Sequence, residues 1–280
     1  MPSFRAAVPF LLAAAALTAC GGTASGASSP SHPPTSQPDV DVAVDGTSFR
    51  GVPGSVHPGD LTLTFDNTGT TLHMAAIGLL ADGHTAADLT AFLASPDAAS
   101  GPPSWLTLVG GVDELDPGHT GSWSGTLAEG SYVLLSFVPD AQGVPEVADG
   151  FLAAFTASGD EVHADAPDAG ATVTLGPDGA ALDLSTVPAG TTAIALVNDG
   201  ETPRTVDVTS IKPGRTYDDV VAEAAQGQGV PPSLTRLGGT AVPPHGRVVV
   251  GIEPAAAGTI YVVFDLDHVG EGAIDHETAG

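Results

Sequence analysis

The sequence predicts an all-β fold made of two similar β-sandwich units, each with one short helix. Apolar and polar residues alternate at Leu61, Leu63 and Phe65, as expected for a half-buried strand, and comparable short runs follow along the chain. The 36 glycines and 24 prolines separate these runs and leave few positions for long helices. Short strands at even spacing are typical of a sandwich.

The two units form an internal repeat. Residues 58–69 recur as residues 189–200, with the turn residues in the same order, and further matches follow in both halves. Self-similarity over this length indicates a duplicated domain. We place the first domain at residues 40–158 and the second at residues 165–280, and we expect each to be large enough to fold alone.

One helix start stands at the same place in each unit. Thr85 is followed three residues later by Asp88, and Thr216 is followed in the same way by Asp219. A threonine with an acidic residue three positions on is typical of the first turn of a capped helix. We expect about two helical turns after each threonine.

Cys20 is the only cysteine in the 280 residues and predicts a lipid anchor. Residues 1–19 contain one basic residue, Arg5, then an apolar stretch that ends in Leu-Thr-Ala before Cys20, which is typical of a lipoprotein signal peptide. Residues 20–39, rich in Gly, Ser, Thr and Pro, predict a disordered tether after the lipidated cysteine. We therefore expect the protein on the extracytoplasmic face of a bacterial cell membrane.

Charge and cysteine content exclude several classes of function. The formal net charge is −26, so nucleic acid and anionic lipid surfaces repel the protein. With Cys20 acylated, the exported body has no thiol for redox chemistry, disulfide formation or thiolate metal ligation.

A pattern in the first unit resembles a known family. A strand ends in Asn67, His73 follows six residues later, and a late strand over residues 130–139 leads into a loop over residues 143–151. This pattern resembles the cupredoxins, in particular the cupredoxin-like domains of exported bacterial lipoproteins. The resemblance implies two tandem Greek-key β-sandwich domains.

The resemblance also implies four copper-ligand positions, most of which are changed here. Copper-binding members carry His, Cys, His and Met, where this chain has His73, Ser136, Glu146 and Phe151. A blue-copper centre needs a thiolate with two imidazoles and a weak axial ligand, so the substitutions predict that the electron-transfer site is lost. His73 with Glu146 could still form a residual zinc or copper site, but a structural histidine bonded to a carboxylate is the favoured interpretation.

In the second unit the position of His73 is taken by Arg204, which cannot ligate a metal. The position of Ser136 falls on Phe264 or Asp265, and matching Tyr132 with Tyr261 selects Asp265. We expect Arg204 and Asp265 to form a buried charge pair that braces the second sandwich. The alternative is an anion pocket for a carboxylate or phosphate ligand.

These observations favour a membrane-anchored, non-catalytic binding or scaffold module with two degenerate cupredoxin-like domains. We expect no cofactor, no nucleic-acid partner, the membrane as partner through the lipid, and a cell-envelope protein as a further partner. One alternative is a copper or zinc binding or trafficking protein that uses His73 and Glu146. A second alternative is an enzyme with a site between the domains, although the sequence shows no nucleophile–base pattern.

Overall fold

The computed structural model describes residues 37, 39–140, 142–177, 181–225, 231–254, 256–266 and 274–280, without the side chains of residues 99 and 100. The predicted signal peptide, Cys20 and nearly all of the predicted tether lie outside these residues. In the part of the chain that is described, no helix is long and apolar enough to cross a membrane.

The described residues of the first repeat form nine strands and one α-helix. In chain order these are β1 (Val40–Asp45), β2 (Ser48–Arg50), β3 (Ser55–Val56), β4 (Gly59–Asp66), β5 (His73–Leu80), α1 (Ala86–Leu93), β6 (Leu106–Leu115), β7 (Thr120–Leu127), β8 (Gly130–Leu135) and β9 (Leu152–Ala157). Two short 3-10 turns lie at Pro96–Ser100 and Glu146–Asp149. The second repeat follows with β10 (Ala171–Leu175), β11 (Leu182–Leu184), β12 (Ala193–Asn198), β13 (Arg204–Ile211), α2 (Tyr217–Ala224), β14 (Leu234–Val242), β15 (Arg247–Gly251), β16 (Ile260–Asp265) and β17 (Ile274–Thr278).

The prediction of an all-β fold with one α-helix in each repeat is confirmed for the described residues. Both helices begin as the sequence indicates. The Thr85 side chain accepts a hydrogen bond from the backbone N–H of Asp88, whose carboxylate accepts from the backbone N–H of Thr85. Thr216 and Asp219 repeat this reciprocal cap at α2. Such a cap satisfies backbone donors that the first helical turn cannot pair.

The strands of the two repeats join into common sheets. The described residues form one sheet in the order β11-β10-β12-β15-β7-β4-β1-β2 and a second in the order β17-β16-β13-β14-β6-β5-β8-β9-β3. The repeats meet at β7 against β15, where Trp123 lies opposite Val250, and at β6 against β14, where Leu115 lies opposite Leu237. Edge strands of one repeat are therefore covered by the other, which shields sheet edges that would otherwise be open.

The core between the two sheets also runs through both repeats. One connected cluster of buried side chains includes Phe65 and Trp123 from the first repeat and Val206 and Tyr261 from the second. Two smaller clusters lie on the opposite face of the nine-stranded sheet, around Leu89 of α1 and around Val220 of α2. The separate folding of residues 165–280 stays a prediction, and a chain cut there would expose the joint edges of β14 and β15.

Candidate functional site

Four predicted site residues meet at one end of the first repeat. His73 is the first residue of β5, and Ser136 directly follows β8. These strands are antiparallel neighbours, with Ala76 opposite Leu135, so the start of β5 lies beside the end of β8. Glu146 begins a 3-10 turn and Phe151 directly precedes β9, and the loop between β8 and β9 brings both back to His73.

Backbone hydrogen bonds hold this loop against the strand ends. The N–H of Ser136 donates to the carbonyl of Phe151 at 3.2 Å, and the N–H of Val147 donates to the carbonyl of Ser136 at 2.7 Å. The turn is closed by Gly150 at φ 115°, a left-handed conformation that favours glycine. The positions of Glu146 and Phe151 are therefore fixed by local backbone geometry.

The polar side chains of the site bond to one another. Ser136 Oγ donates to Glu146 Oε2 at 2.6 Å, and His73 Nδ1 lies 2.9 Å from the same carboxylate. His73 Nε2 lies 3.2 Å from the hydroxyl of Thr71. With Nδ1–H donating to Glu146 and Thr71 donating to Nε2, both ring nitrogens and the carboxylate have partners. The Phe151 ring stacks on the imidazole with centroids 4.8 Å apart.

The cluster is closed to solvent. The exposed fractions are 5% for His73, 0% for Ser136, 8% for Glu146 and 3% for Phe151. Gly69 packs directly against the imidazole, where a Cβ atom would lie 2.7 Å from His73 Nε2. A larger residue at this position would push the histidine out of its place.

The donor set does not fit copper. Ser136 offers a hydroxyl in place of a thiolate, Phe151 offers no donor, and His73 Nδ1 is committed to Glu146 at hydrogen-bond distance. A zinc ion between His73 and Glu146 would need about 2 Å on each side, which a direct 2.9 Å contact does not leave. No group of three or more His, Cys, Asp or Glu among the described residues is arranged to hold a metal ion.

The second repeat places Arg204 and Asp265 together at the equivalent positions. The guanidinium binds the Asp265 carboxylate through Nε and Nη2, and Nη1 donates to the carbonyl of Gly176 at 3.1 Å. Arg204 is 2% exposed and Asp265 is 0% exposed. This geometry supports the predicted brace over an anion pocket, because the guanidinium already pairs with the carboxylate of Asp265. The loop at 267–273, which follows β16, lies outside the described residues.

The sequence interpretation used Asn67 only to mark a spacing and missed the structural role of a pair of buried asparagines. Asn67 donates through Nδ2 to the carbonyls of Thr71 and Leu115 and accepts from the N–H of Gly69. Asn198 makes the equivalent bonds in the second repeat, to the carbonyls of Thr202 and Val242 and from the N–H of Gly200. Both are fully buried. The signal was present, because an asparagine two residues before a glycine recurs in both repeats.

Comparison with solved structures finds similarity at low sequence identity. No protein-family model matches the chain, and no curated protein matches it. Auracyanin B is 20% identical, covering 39% of this chain and 86% of that chain at a TM-score of 0.29. Auracyanin from Roseiflexus castenholzii is 19% identical, covering 39% and 94% at a TM-score of 0.29. A copper nitrite reductase from Nitrosomonas europaea is 12% identical, covering 86% and 93% at a TM-score of 0.25.

Proposed function

We propose that this protein is a lipid-anchored, extracytoplasmic binding or scaffold module whose two cupredoxin-like domains have lost the copper centre. One observation carries the proposal. The four residues that the cupredoxin resemblance assigns to copper-ligand positions lie together in the first repeat and form a buried cluster around Glu146, whose carboxylate bonds to His73 and Ser136. A carboxylate that accepts from both a histidine and a serine stabilises the fold and engages the two side chains that stand at the positions of metal ligands.

The geometry argues against an enzyme built on this cluster. In nucleophilic catalysis the serine hydrogen bonds to the histidine, which acts as base. Here Ser136 donates to Glu146, and Glu146 stands between Ser136 and His73. The serine also has no exposed surface, so a substrate carbonyl could not approach it.

The metal-trafficking alternative finds less support than the binding module. A trafficking site must exchange its ion, so at least one ligand has to reach solvent or a partner protein. His73 is 5% exposed and both of its ring nitrogens have protein partners. Neither repeat offers a thiolate or an exposed imidazole at these positions, since the second repeat has Arg204 and Asp265 there.

A protein partner in the cell envelope can be tested by site-specific photo-crosslinking on intact cells. A photoreactive residue placed at Val144, Val221 or Leu266 would sample exposed apolar side chains of both repeats, and Thr120 gives an exposed polar control. We expect one discrete cross-linked product from a subset of the apolar positions. Lack of product at every position, together with stoichiometric copper in the purified protein, would contradict the proposal.

The anchor is tested by Cys20→Ala. Without the thiol no lipid can be attached, so the variant is expected in the medium or as uncleaved precursor. Detergent phase partitioning of wild-type and variant protein measures the difference, and Cys20→Ser serves as a second thiol-free variant. Variant protein that is cleaved to mature length and still shows an unchanged membrane fraction would remove the anchoring claim.

A further inference from the structure

Two aspartates meet where the repeats join in the nine-stranded sheet. Asp113 lies on β6 and Asp207 on β13, and β14 runs between them. Gly239 of β14 lies opposite Asp207, and a Cβ atom there would be 2.9 Å from Asp207 Oδ1. The missing side chain leaves room for the two carboxyl groups to hydrogen bond to each other across β14.

This contact requires a proton. Two carboxylates have only acceptor oxygens, so a hydrogen bond between them exists only when one of them is protonated. Asp113 Oδ1 accepts from the backbone N–H of Glu114 at 2.8 Å, which favours the charged form of Asp113. Asp207 is therefore the proton donor of the pair. Both side chains are largely out of water, with exposed fractions of 8% for Asp113 and 4% for Asp207.

The pair belongs to the joint rather than to the repeat. Gly110-Gly111 of the first repeat recurs as Gly238-Gly239, and Ala76 lies opposite Gly111 as Asp207 lies opposite Gly239. The first repeat thus has an alanine where the second has Asp207. Each half of the pair comes from a different repeat, and the bond forms only when the two repeats are assembled.

The charged groups around the pair come from β6 and β14. The negative charge of Glu114 and the positive charge of Arg236 both interact electrostatically with the two aspartates. Arg236 also binds Glu114 through Nε at 2.6 Å. The backbone N–H of Arg236 donates to Asp116. The flanking strands add apolar neighbours, with Phe264 of β16 directly opposite Asp207 and Met74 and Ala76 on β5.

We propose that Asp113 and Asp207 share one proton as a pH-sensitive latch between the two repeats. With the proton in place, the carboxyl groups tie β6 to β13 across the joint. Once the proton leaves, two negative charges face each other with little solvent between them, and the joint weakens.

The direction of the pH effect follows from the titration of the pair. Burial raises the pKa of Asp113 to about 6 and raises the pKa of Asp207 well above the ordinary aspartate value. An unfolded chain releases these protons near pH 4, so the folded protein binds more protons above that point. The pair's contribution to stability is therefore full below about pH 4 and falls as the pH rises through about 6 and beyond. For each proton that the folded protein binds and the unfolded chain does not, the equilibrium constant of unfolding changes about tenfold per pH unit.

The shared proton can be observed directly in the full-length wild-type protein. Carbon-13 NMR of the aspartate side chains follows each carboxyl group as the pH is raised. We expect one resonance with a midpoint near 6, assigned to Asp113 by its loss in Asp113→Asn, and a second whose midpoint also lies well above the ordinary aspartate value, assigned to Asp207 by its loss in Asp207→Asn. If all aspartates titrate near pH 4, the proposal is wrong, whatever the variants do.

The latch itself is tested with Asp207→Asn, whose amide can donate to Asp113 at every pH. Asp82→Asn, in an exposed turn, is the matched control. Above about pH 7, thermal unfolding and hydrogen exchange at β6 and β14 should show a more stable joint in Asp207→Asn than in wild type, with the difference shrinking toward pH 5. Asp88, Asp219 and Glu223 have a lowered pKa, so their contribution to stability is lost as the pH falls, opposite to that of the aspartate pair. Because wild type and variant share this contribution, comparing the two proteins at the same pH removes it. A pH profile of Asp207→Asn that matches Asp82→Asn would overturn the latch.

Discussion

Replacing Arg204 with alanine is expected to lower the free energy of unfolding by about 3 to 5 kcal/mol, because it leaves Asp265 charged, buried and without the guanidinium. Asp265 is 0% exposed, so water cannot take over the lost hydrogen bonds. The carbonyl of Gly176 also loses the donor that Arg204 Nη1 supplies. Equilibrium denaturation monitored by circular dichroism measures the change.

A double variant distinguishes a brace from a ligand site. Replacing Arg204 and Asp265 together with a well-packed apolar pair, methionine and leucine, should recover much of the loss, because no charge then remains buried. Arg50→Ala, on the exposed strand β2, is the matched control and should change stability by less than about 0.5 kcal/mol. Additive losses in the double variant, or an Arg204→Ala effect no larger than that of Arg50→Ala, would contradict the brace.

Replacing Glu146 with alanine is expected to cost about 2 to 4 kcal/mol, since it strands two buried donors, Ser136 Oγ–H and His73 Nδ1–H. Both donors now bond to the same carboxylate, and neither has solvent within reach. The effect would appear as a lower denaturation midpoint with an unchanged slope.

Two variants show whether the acceptor role of Glu146 is responsible. Glu146→Gln keeps one side-chain oxygen and should lose less stability than Glu146→Ala. Asp149→Ala lies in the same 3-10 turn but is exposed, so it controls for effects on the turn itself. Equal losses for Glu146→Ala and Asp149→Ala would mean that the hydrogen bonds to His73 and Ser136 contribute little.

Local features of this fold could be predicted from the sequence because the residues that determine them are close together in the chain. The capped starts of α1 and α2 depend on a threonine and an aspartate three positions apart, and both caps form as expected. Arg204 and Asp265 are over sixty residues apart, yet their contact could also be predicted from the sequence. The offset between the repeats matches them to His73 and Ser136, and equivalent strands pair alike in both repeats.

The joint between the repeats was not open to prediction in the same way. Asp113 and Asp207 are charged residues within strands, and aspartate side chains are normally solvated. They are buried only because β14 pairs with β6 and Gly239 leaves space between them, which are contacts between distant segments. A periodicity of two reports which face a residue lies on, but not what covers that face.

Copper titration of wild-type protein beside the variant Ser136→Cys, Glu146→His, Phe151→Met tests the loss of the copper centre most directly. Both chains carry Cys20→Ser, so the introduced thiol is the only one present. The account predicts that wild-type protein purifies without stoichiometric copper and gives no intense visible absorption with Cu²⁺, since it has no thiolate donor. The folded triple variant should develop the intense charge-transfer band of a thiolate bound to copper. Stoichiometric copper in wild type, or a folded triple variant that never colours, would contradict the claim that these residues occupy a former copper site.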